Sequence, residues 1–229
     1  MNSALKNFPD NTLTFLKKLS KNNNRAWFEE NREIFNSNFL EPAVQFVAEM
    51  GERLVTVRPS IIAIPKTDKS IFRIHRDVRF SKEKQPYKTN MGLYFWEGKR
   101  KKMECSGFYF HLDNKNFGAG AGIYTFSKEM LSDYRNLVSD PANGKELNGI
   151  IKKILKDENF SLGGKNYKRV PKGFDPGYPY SDLLLHDGMY LWFEGKNYKT
   201  LSNGKAVKTI FDAFKKMMPL HNWLVKKFG

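Results

Sequence analysis

The 229-residue chain carries 39 Lys and Arg against 24 Asp and Glu, which gives a formal charge of +15. An apolar share of 40% is enough for a hydrophobic core and argues against general disorder. No stretch approaches the roughly 18–20 apolar residues of a membrane-spanning helix, and the first residues lack the apolar segment of a secretory signal. Cys105 is the single cysteine, so an intrachain disulfide and a cysteine-based metal cluster are excluded. We therefore expect a cytoplasmic protein without membrane insertion.

The first part of the chain, residues 10–58, predicts helices. Leucines three apart follow the turn-like Pro9 and indicate a short helix. A longer apolar pattern covers residues 27–54, where Pro42 either kinks the helix or begins a new one. Pro59 is expected to end this helical region.

Between residues 60 and 124 the apolar period changes from that of helices to two, which predicts strands. The expected strands are Ile61–Ile64, Ile71–Arg76, Met91–Trp96, Ser106–Leu112 and Phe117–Tyr124. Short turns are expected at Gly98-Lys99 and at Asp113-Asn114-Lys115. Neighbouring strands joined by short turns favour an antiparallel meander over parallel βαβ units.

Helices are expected again at 127–156, with Ser127 as N-cap. A loop and a strand pair, Leu183–His186 and Met189–Phe193, follow within residues 160–194, and C-terminal helices at 200–228 are interrupted at Pro219. The prediction is a single α+β domain over 1–229, an antiparallel sheet meander flanked by N-terminal and C-terminal helices.

Positive charge is concentrated in one part of the sequence. Between Pro65 and Lys102 there are twelve basic and four acidic side chains, a local charge of +8. Such a cluster favours phosphate-bearing small molecules or nucleic acid as partners. The alternative is a lysine-rich surface that only keeps the protein in solution. The sequence does not indicate an oligomeric state.

The basic stretch from Arg73 to Lys88 is the predicted ligand-binding region. On a strand, Arg73, His75 and Asp77 would share one face, and Arg76 would lie on the other. Guanidinium groups bind phosphate in a bidentate manner, and lysines add charge. The candidate ligand-binding residues are Arg73, Arg76, Arg79, Lys82, Lys84 and Lys88.

Two other interpretations of this stretch stay open. In the first, the protein is an enzyme in which His75 and Asp77 form an acid–base pair and the arginines stabilise a developing negative charge. In the second, Asp77 pairs with Arg73, Arg76 or Arg79 as a structural staple, and no ligand binds. Burial and convergence of these side chains would distinguish the interpretations.

Other motifs give weaker indications. None of the four histidines has the spacing of metal ligands, so no metal and no cofactor are expected. His75, His111 and Asp77 would meet only if their strands were neighbours. Glycines alternate along residues 118–122, which indicates a bulge, close packing or, as an alternative, a ligand approaching the strand. Tyr167-Lys168-Arg169 places an aromatic ring beside cations, an arrangement suited to stacking with nucleic acid bases.

The string Arg-Asp-x-Arg-Phe-Ser-Lys-x-Lys-x-Pro-Tyr-Lys covers Arg76 to Lys88. Together with Trp27-Phe28 and Phe174-Asp175, it resembles the domain-of-unknown-function family numbered 2461, a group of conserved hypothetical proteins of bacteria and fungi. The resemblance extends over about residues 13–194. It implies no reaction, cofactor or partner, and it carries no catalytic residue over to this chain.

Overall fold

The computed structural model describes residues 5–79, 82 and 84–229; Phe80, Ser81 and Glu83 of the quoted string therefore lie outside the described residues. The N-terminal region is helical, as predicted. Its elements are α1 (Asp10–Lys21), α2 (Arg25–Glu30), α3 (Arg32–Phe35), a π-helical turn (Asn36–Leu40) and α4 (Glu41–Val55). Asn24 caps α2 by accepting a hydrogen bond from the Trp27 amide. Pro42 lies in the first turn of α4, where a missing N–H costs nothing.

The strands form one five-stranded antiparallel sheet, and the α+β prediction is confirmed. The strands are β1 (Asn90–Glu97), β2 (Ser106–Asp113), β3 (Phe117–Ile123), β4 (Phe160–Lys165) and β5 (His186–Gly195), in the order β1-β2-β3-β5-β4. The β4–β5 register pairs Phe160 with Phe193 and Gly163 with Tyr190, and it shifts before Lys165.

Two predicted strands were wrong. The residues of Ile61–Ile64 and Ile71–Arg76 form isolated bridges within irregular chain, with Ile71 opposite Leu93 and His75 opposite Tyr87. Asp68 adopts a positive φ of 64°, and nearby prolines lack the amide hydrogen that a continuous ladder needs. The predicted turn at Gly98-Lys99 is also longer, because a 3-10 turn (Lys102–Glu104) lies between β1 and β2.

Of the predicted strand pair after residue 180, Met189–Phe193 lies within β5, but the separate strand Leu183–His186 was wrong. Residues 181–185 form a 3-10 turn (Ser181–Leu185), and β5 is one strand whose partner on this side is β4. The pair Asp187-Gly188 is typical of a turn. In the structure, however, Gly188 lets the backbone of Tyr124 approach closely. A Cβ at this position would lie 2.0 Å from the Tyr124 carbonyl oxygen.

The remaining helices are α5 (Lys128–Ser139), α6 (Pro141–Ile154) and α7 (Ala206–Phe228), with a 3-10 turn (Tyr198–Thr200) before α7. The Ser127 hydroxyl caps α5 by accepting from the Met130 amide, as predicted. The predicted interruption at Pro219 was wrong, since α7 continues through it. Buried residues on both sides of the proline, such as Phe214 and Leu224, offset the lost hydrogen bond.

The described chain separates into two compact units. Unit 1 contains the residues up to Phe95, Tyr109–Ala119 and Glu194–Asp212; unit 2 contains Trp96–Phe108, Gly120–Phe193 and Ala213–Gly229. In unit 1, the rings of Phe46 and Phe110 stack at 4.8 Å. In unit 2, Phe126 stacks on Tyr134 at 4.7 Å. The single domain over 1–229 stays a prediction.

Candidate anion-binding site

The basic stretch follows an extended, irregular path in unit 1. The Arg76 amide donates to the Pro86 carbonyl at 2.8 Å, and the Lys88 amide donates to the Ile74 carbonyl at 2.7 Å. Exposure alternates along the strand-like part, as the sequence pattern indicates: Arg73 and Asp77 are exposed, whereas Ile74 is buried. The backbone therefore presents one polar face to solvent.

Lys88 and Arg73 are the predicted cations that lie close to each other. Lys88 is half-buried, and its ammonium lies 5.6 Å from the centre of the Phe72 ring. Burial lowers the pKa of Lys88, and the positive charge of Arg73 lowers it further, while Asp68 acts in the opposite direction. Within the described part of the chain, neither Lys88 nor Arg73 forms an ion pair with a carboxylate.

The Phe72 ring that Lys88 contacts connects it to a group of neutral polar side chains. The Phe72 ring contacts the Tyr109 ring edge to face at 5.9 Å. The Tyr109 hydroxyl lies against β1 at Gly92, where a Cβ would come within 2.8 Å of it. Both the Tyr109 hydroxyl and the Asn90 amide nitrogen lie 3.4 Å from Nδ1 of His111.

His111 is oriented by a carboxylate. Its Nε2 lies 3.1 Å from Oδ2 of Asp113, and both side chains are less than a quarter exposed. Burial alone would raise the pKa of Asp113. However, hydrogen bonds from the Asn116 and Lys115 amides and from His111 outweigh burial, so this pKa is lowered. Asp113 is therefore ionised at neutral pH. In the neutral form of the ring, this carboxylate favours the tautomer that donates from Nε2 and leaves Nδ1 as an acceptor.

The sequence analysis placed Asp113 in a turn and did not pair it with His111. The turn exists, because Asp113 accepts from the Lys115 amide at 2.7 Å. The same carboxylate also serves His111. The available signal was the alternation of Tyr109, His111 and Asp113 along β2, which places all three on one face of the strand.

The other predicted arginines and lysines make local contacts or face solvent. Arg79 binds Asp77 in a bidentate manner, with Nε to Oδ1 at 3.0 Å and Nη2 to Oδ2 at 2.7 Å. Lys84 donates to the Val78 carbonyl at 3.2 Å, and Lys82 is exposed. Arg76 is half-buried on the opposite face from Arg73.

His75 and Asp77, the predicted acid–base pair, have different neighbours. The His75 ring packs against Tyr87 at 5.1 Å and Phe28 at 6.0 Å. The side-chain bond from Arg79 is the largest cause of the lowered pKa of Asp77. Across the described residues, no hydrogen bond joins His75 to Asp77, and neither contacts His111.

The alternating glycines of β3 allow close packing. The Trp192 ring lies 3.2 Å from the Cβ position of Gly120, and Gly122 has a φ of +133° with the Met189 carbonyl against it. Of the interpretations offered for this run, the structure matches close packing. Among residues 5–79, 82 and 84–229, no group of three or more His, Cys, Asp or Glu could hold a metal ion.

Unit 2 contains a buried polar cluster that the sequence analysis missed. His221 lies 3.0 Å from the Ser106 hydroxyl through Nδ1 and 3.1 Å from Glu97 through Nε2. Its ring packs against Phe108 at 4.4 Å. The order carboxylate–histidine–hydroxyl matches that of hydrolase triads, but Ser106 and His221 are buried, so this cluster is inaccessible to a substrate.

Comparison with known proteins gives one family. A family model described as conserved hypothetical protein (DUF2461) matches residues 11–223. No curated protein and no solved structure shows significant similarity to the chain. In the described residues, no helix is long and apolar enough to cross a membrane.

Proposed function

The chain belongs to the DUF2461 family, and because that description names no activity, we propose the function from the site itself: binding of a small phosphate-bearing anion by Arg73 and Lys88. The observation that carries this proposal is a pair of neighbouring cations that, among the described residues, form no ion pair with a carboxylate. Two adjacent positive charges repel each other, and half-burial adds a desolvation cost to Lys88. A bound anion would remove both penalties.

Neutral hydrogen-bond donors next to the cations support the same ligand class. The Nδ1 lone pair of His111 accepts one hydrogen bond at a time, but Tyr109 and Asn90 both reach it. The Asn90 amide nitrogen carries two N–H groups and only one of them can point at Nδ1, so the other can face a ligand oxygen. A phosphate group, with several acceptor oxygens, suits a site that combines a guanidinium, an ammonium and a neutral donor.

The remaining predicted residues, Arg76, Arg79, Lys82 and Lys84, belong to the same proposal as the source of a wider positive field. That field would increase the rate at which anions reach the site, more strongly at low salt. It also makes nucleic acid the main competing partner. We place this function in the cytoplasm, because a chain with a single cysteine suits a reducing compartment.

A thermal-shift titration with inorganic phosphate tests the proposal. Phosphate should stabilise the wild-type protein, and Lys88→Met should weaken phosphate binding about tenfold or more, because the site loses its half-buried charge. Arg73→Lys should weaken it less, since charge is kept and bidentate geometry is lost. Lys82→Met is the matched control, an exposed lysine in the same stretch that adds only to the field, and it should weaken phosphate binding at most about twofold.

Two results separate this site from a general basic surface. Without phosphate, Lys88→Met should be at least as stable as the wild type, because it removes a half-buried charge. A labelled single-stranded oligonucleotide should bind with a steep salt dependence if nucleic acid is the partner, and Lys82→Met should then weaken it as much as Lys88→Met does. If phosphate does not stabilise the wild type, or stabilises both lysine variants equally, the proposal is wrong.

The second candidate function is acid–base catalysis on a bound phosphate ester. The observation that favours it is the Asp113–His111 pair, which would take the role first assigned to His75 and Asp77. Asp113 fixes the ring so that Nδ1 is ready to accept a proton from an attacking water. Hydrolysis of p-nitrophenyl phosphate that is lost in His111→Gln and kept in His75→Gln would support it. Release of nitrophenol at the rate of buffer alone would reject it.

A further inference from the structure

Arg135, on α5 in unit 2, has no partner for two of its side-chain nitrogens. Nε and Nη2 are buried from solvent, and neither finds a hydrogen-bond acceptor in the part of the chain that the structure describes. The guanidinium carbon lies 4.5 Å from the centre of the Tyr167 ring. That contact stabilises the face of the guanidinium but leaves its N–H edge without an acceptor.

An arrangement of this kind is costly. Arginine keeps its positive charge at any pH a protein experiences, so it cannot avoid the cost by losing a proton. Buried N–H groups without acceptors lose their hydration and gain nothing in return. Native proteins satisfy most such groups, and an unsatisfied one points to a partner outside the chain.

The two unsatisfied nitrogens lie on the same edge of the guanidinium, and this chain uses that edge elsewhere for carboxylates. Arg79 binds Asp77 through Nε and Nη2. Arg32 binds Glu29 through the same two atoms, at 2.9 and 2.6 Å. The edge is built for side-on, bidentate binding of two oxygens of one anion.

One acid of this region, Asp182, does not supply those oxygens. Asp182 is close enough to act on the neighbouring Tyr134, but it pairs with Lys165. Its carboxylate is therefore engaged in an exposed ion pair.

Tyr167 covers Arg135 from an irregular segment. The Tyr167 amide donates to the Leu185 carbonyl at 3.0 Å, and Asn166 donates to Asp187 at 2.7 Å. Beyond these contacts the segment has no helix or strand up to Tyr180. Tyr167 itself is 41% exposed. Lys168 and Arg169, which follow directly, are exposed cations.

From these observations we propose a second anion-binding site in unit 2, in which the Nε–Nη2 edge of Arg135 binds a carboxylate or phosphate group. Tyr167 moves aside to admit the anion, and Lys168 and Arg169 on the same segment add positive charge around it. The site is independent of Arg73 and Lys88, so either proposal can fail without the other.

The Nε–H resonance of Arg135 reports directly on this edge. In a ¹H–¹⁵N spectrum of the arginine side chains of the full chain, assigned by its loss in Arg135→Lys, this resonance should shift in a saturable manner with millimolar inorganic phosphate or acetate. Arg169→Lys, the matched control on the covering segment, should keep the response with at most about a twofold loss of affinity, since its charge is kept. A response to phosphate alone assigns a phosphate site, and a response to acetate alone assigns a carboxylate site.

Tyr167→Ala provides a second measurement if Arg135→Lys fails to fold. Removal of the cover should let the anion bind at least as tightly and exchange faster. The same titration in the Lys88→Met protein should give an unchanged Arg135 response, which separates this site from the one in unit 1. An Arg135 resonance that responds to neither anion, in the wild type and in Tyr167→Ala, would overturn the proposal.

Discussion

The Asp77–Arg79 pair of unit 1 and the Glu97–His221–Ser106 cluster of unit 2 are both hydrogen-bonded charge networks, but water reaches only the first. Arg79 and Asp77 are 76% and 43% exposed at a nitrogen–oxygen distance of 2.7 Å. His221 and Glu97 are 0% and 8% exposed at 3.1 Å. The shorter contact is therefore the one in the more strongly screened environment.

This difference in exposure means that the region with the most charges need not be the one whose charges contribute most to stability. Solvent screens an exposed ion pair, and ordering its side chains costs entropy, so such pairs add little stability. Removing one member of a buried pair leaves the other without compensation, which costs much more. The basic stretch contains more charges, yet we expect the buried His221 and Glu97 to contribute more to folding stability.

The largest expected effect is that of His221→Ala. It leaves the Glu97 carboxylate and the Ser106 hydroxyl buried without their partner, and the free energy of unfolding should fall by about 3–5 kcal/mol. Urea denaturation at neutral pH measures it. His75→Ala, at an exposed histidine, is the control. A loss below about 1 kcal/mol would show that the buried cluster contributes no more to stability than a surface ion pair does.

The contribution of a neutral buried hydrogen bond to stability should lie between the contributions of the two networks. Tyr134 is fully buried, and its hydroxyl donates to the Leu183 carbonyl at 3.1 Å. Tyr134→Phe should lower the free energy of unfolding by about 1 kcal/mol, the net contribution of one such bond. Tyr124→Phe, at a ring that is 68% exposed, should change nothing measurable. Equal effects of the two variants would show that burial does not set the scale.

Much of the fold follows from local sequence patterns. Period-two alternation gave β1, β2 and β3, and Ser127 was identified as a helix cap because its hydroxyl acts within three residues. Continuation of α7 through Pro219 could not be read locally, because long-range packing decides it. The strand β5 was misread for a similar reason, since Gly188 is required by its neighbour Tyr124.

The sites were predictable to different degrees. Arg73 and Lys88 were in the predicted set, but nothing in the sequence distinguished them from Lys82 or Arg79. Only the fold shows which cations meet and which already bind a carboxylate. The contact between Glu97 and His221 joins residues 124 positions apart. Arg135 became a candidate because two of its buried nitrogens have no acceptor in the part of the chain that the structure describes.

His186 is buried like His221, but its Nε2 finds no hydrogen-bond partner among the described residues. Burial lowers the pKa of His186 and the charge of Lys165 acts in the same direction, whereas contacts with Asp182 oppose both. The folded state then binds a proton less readily than the unfolded state, whose pKa is near 6.5. Stability should therefore fall as the pH decreases below about 6.5, and the decrease should continue until the folded-state pKa is reached.

Urea denaturation between pH 7 and pH 5 measures this effect of His186. The slope of the unfolding free energy against pH should be smaller in His186→Asn, which keeps a donor for the Asp182 carbonyl but does not titrate. If His186→Asn keeps the wild-type slope, then His186 accepts a proton as easily as a histidine in water.

The smallest stability effect is expected for Asp77→Ala, at the exposed end of the comparison. Hydrogen bonds from Arg79 lower the pKa of Asp77, so any stabilisation is present above the ordinary carboxyl pKa of 3.8 and is lost as the pH falls below it. Because water surrounds both groups, we expect an unchanged urea midpoint at pH 7, and Asp77→Asn should behave in the same way.

Phosphate binding should respond to Asp77→Ala instead. Asp77 is near enough to Arg73 for their charges to interact, so its removal should strengthen phosphate binding about twofold, and it frees the bidentate edge of Arg79. A loss of stability comparable with that of His221→Ala would show that the exposed pair holds the basic stretch in place, and the structural-staple interpretation would then replace anion binding.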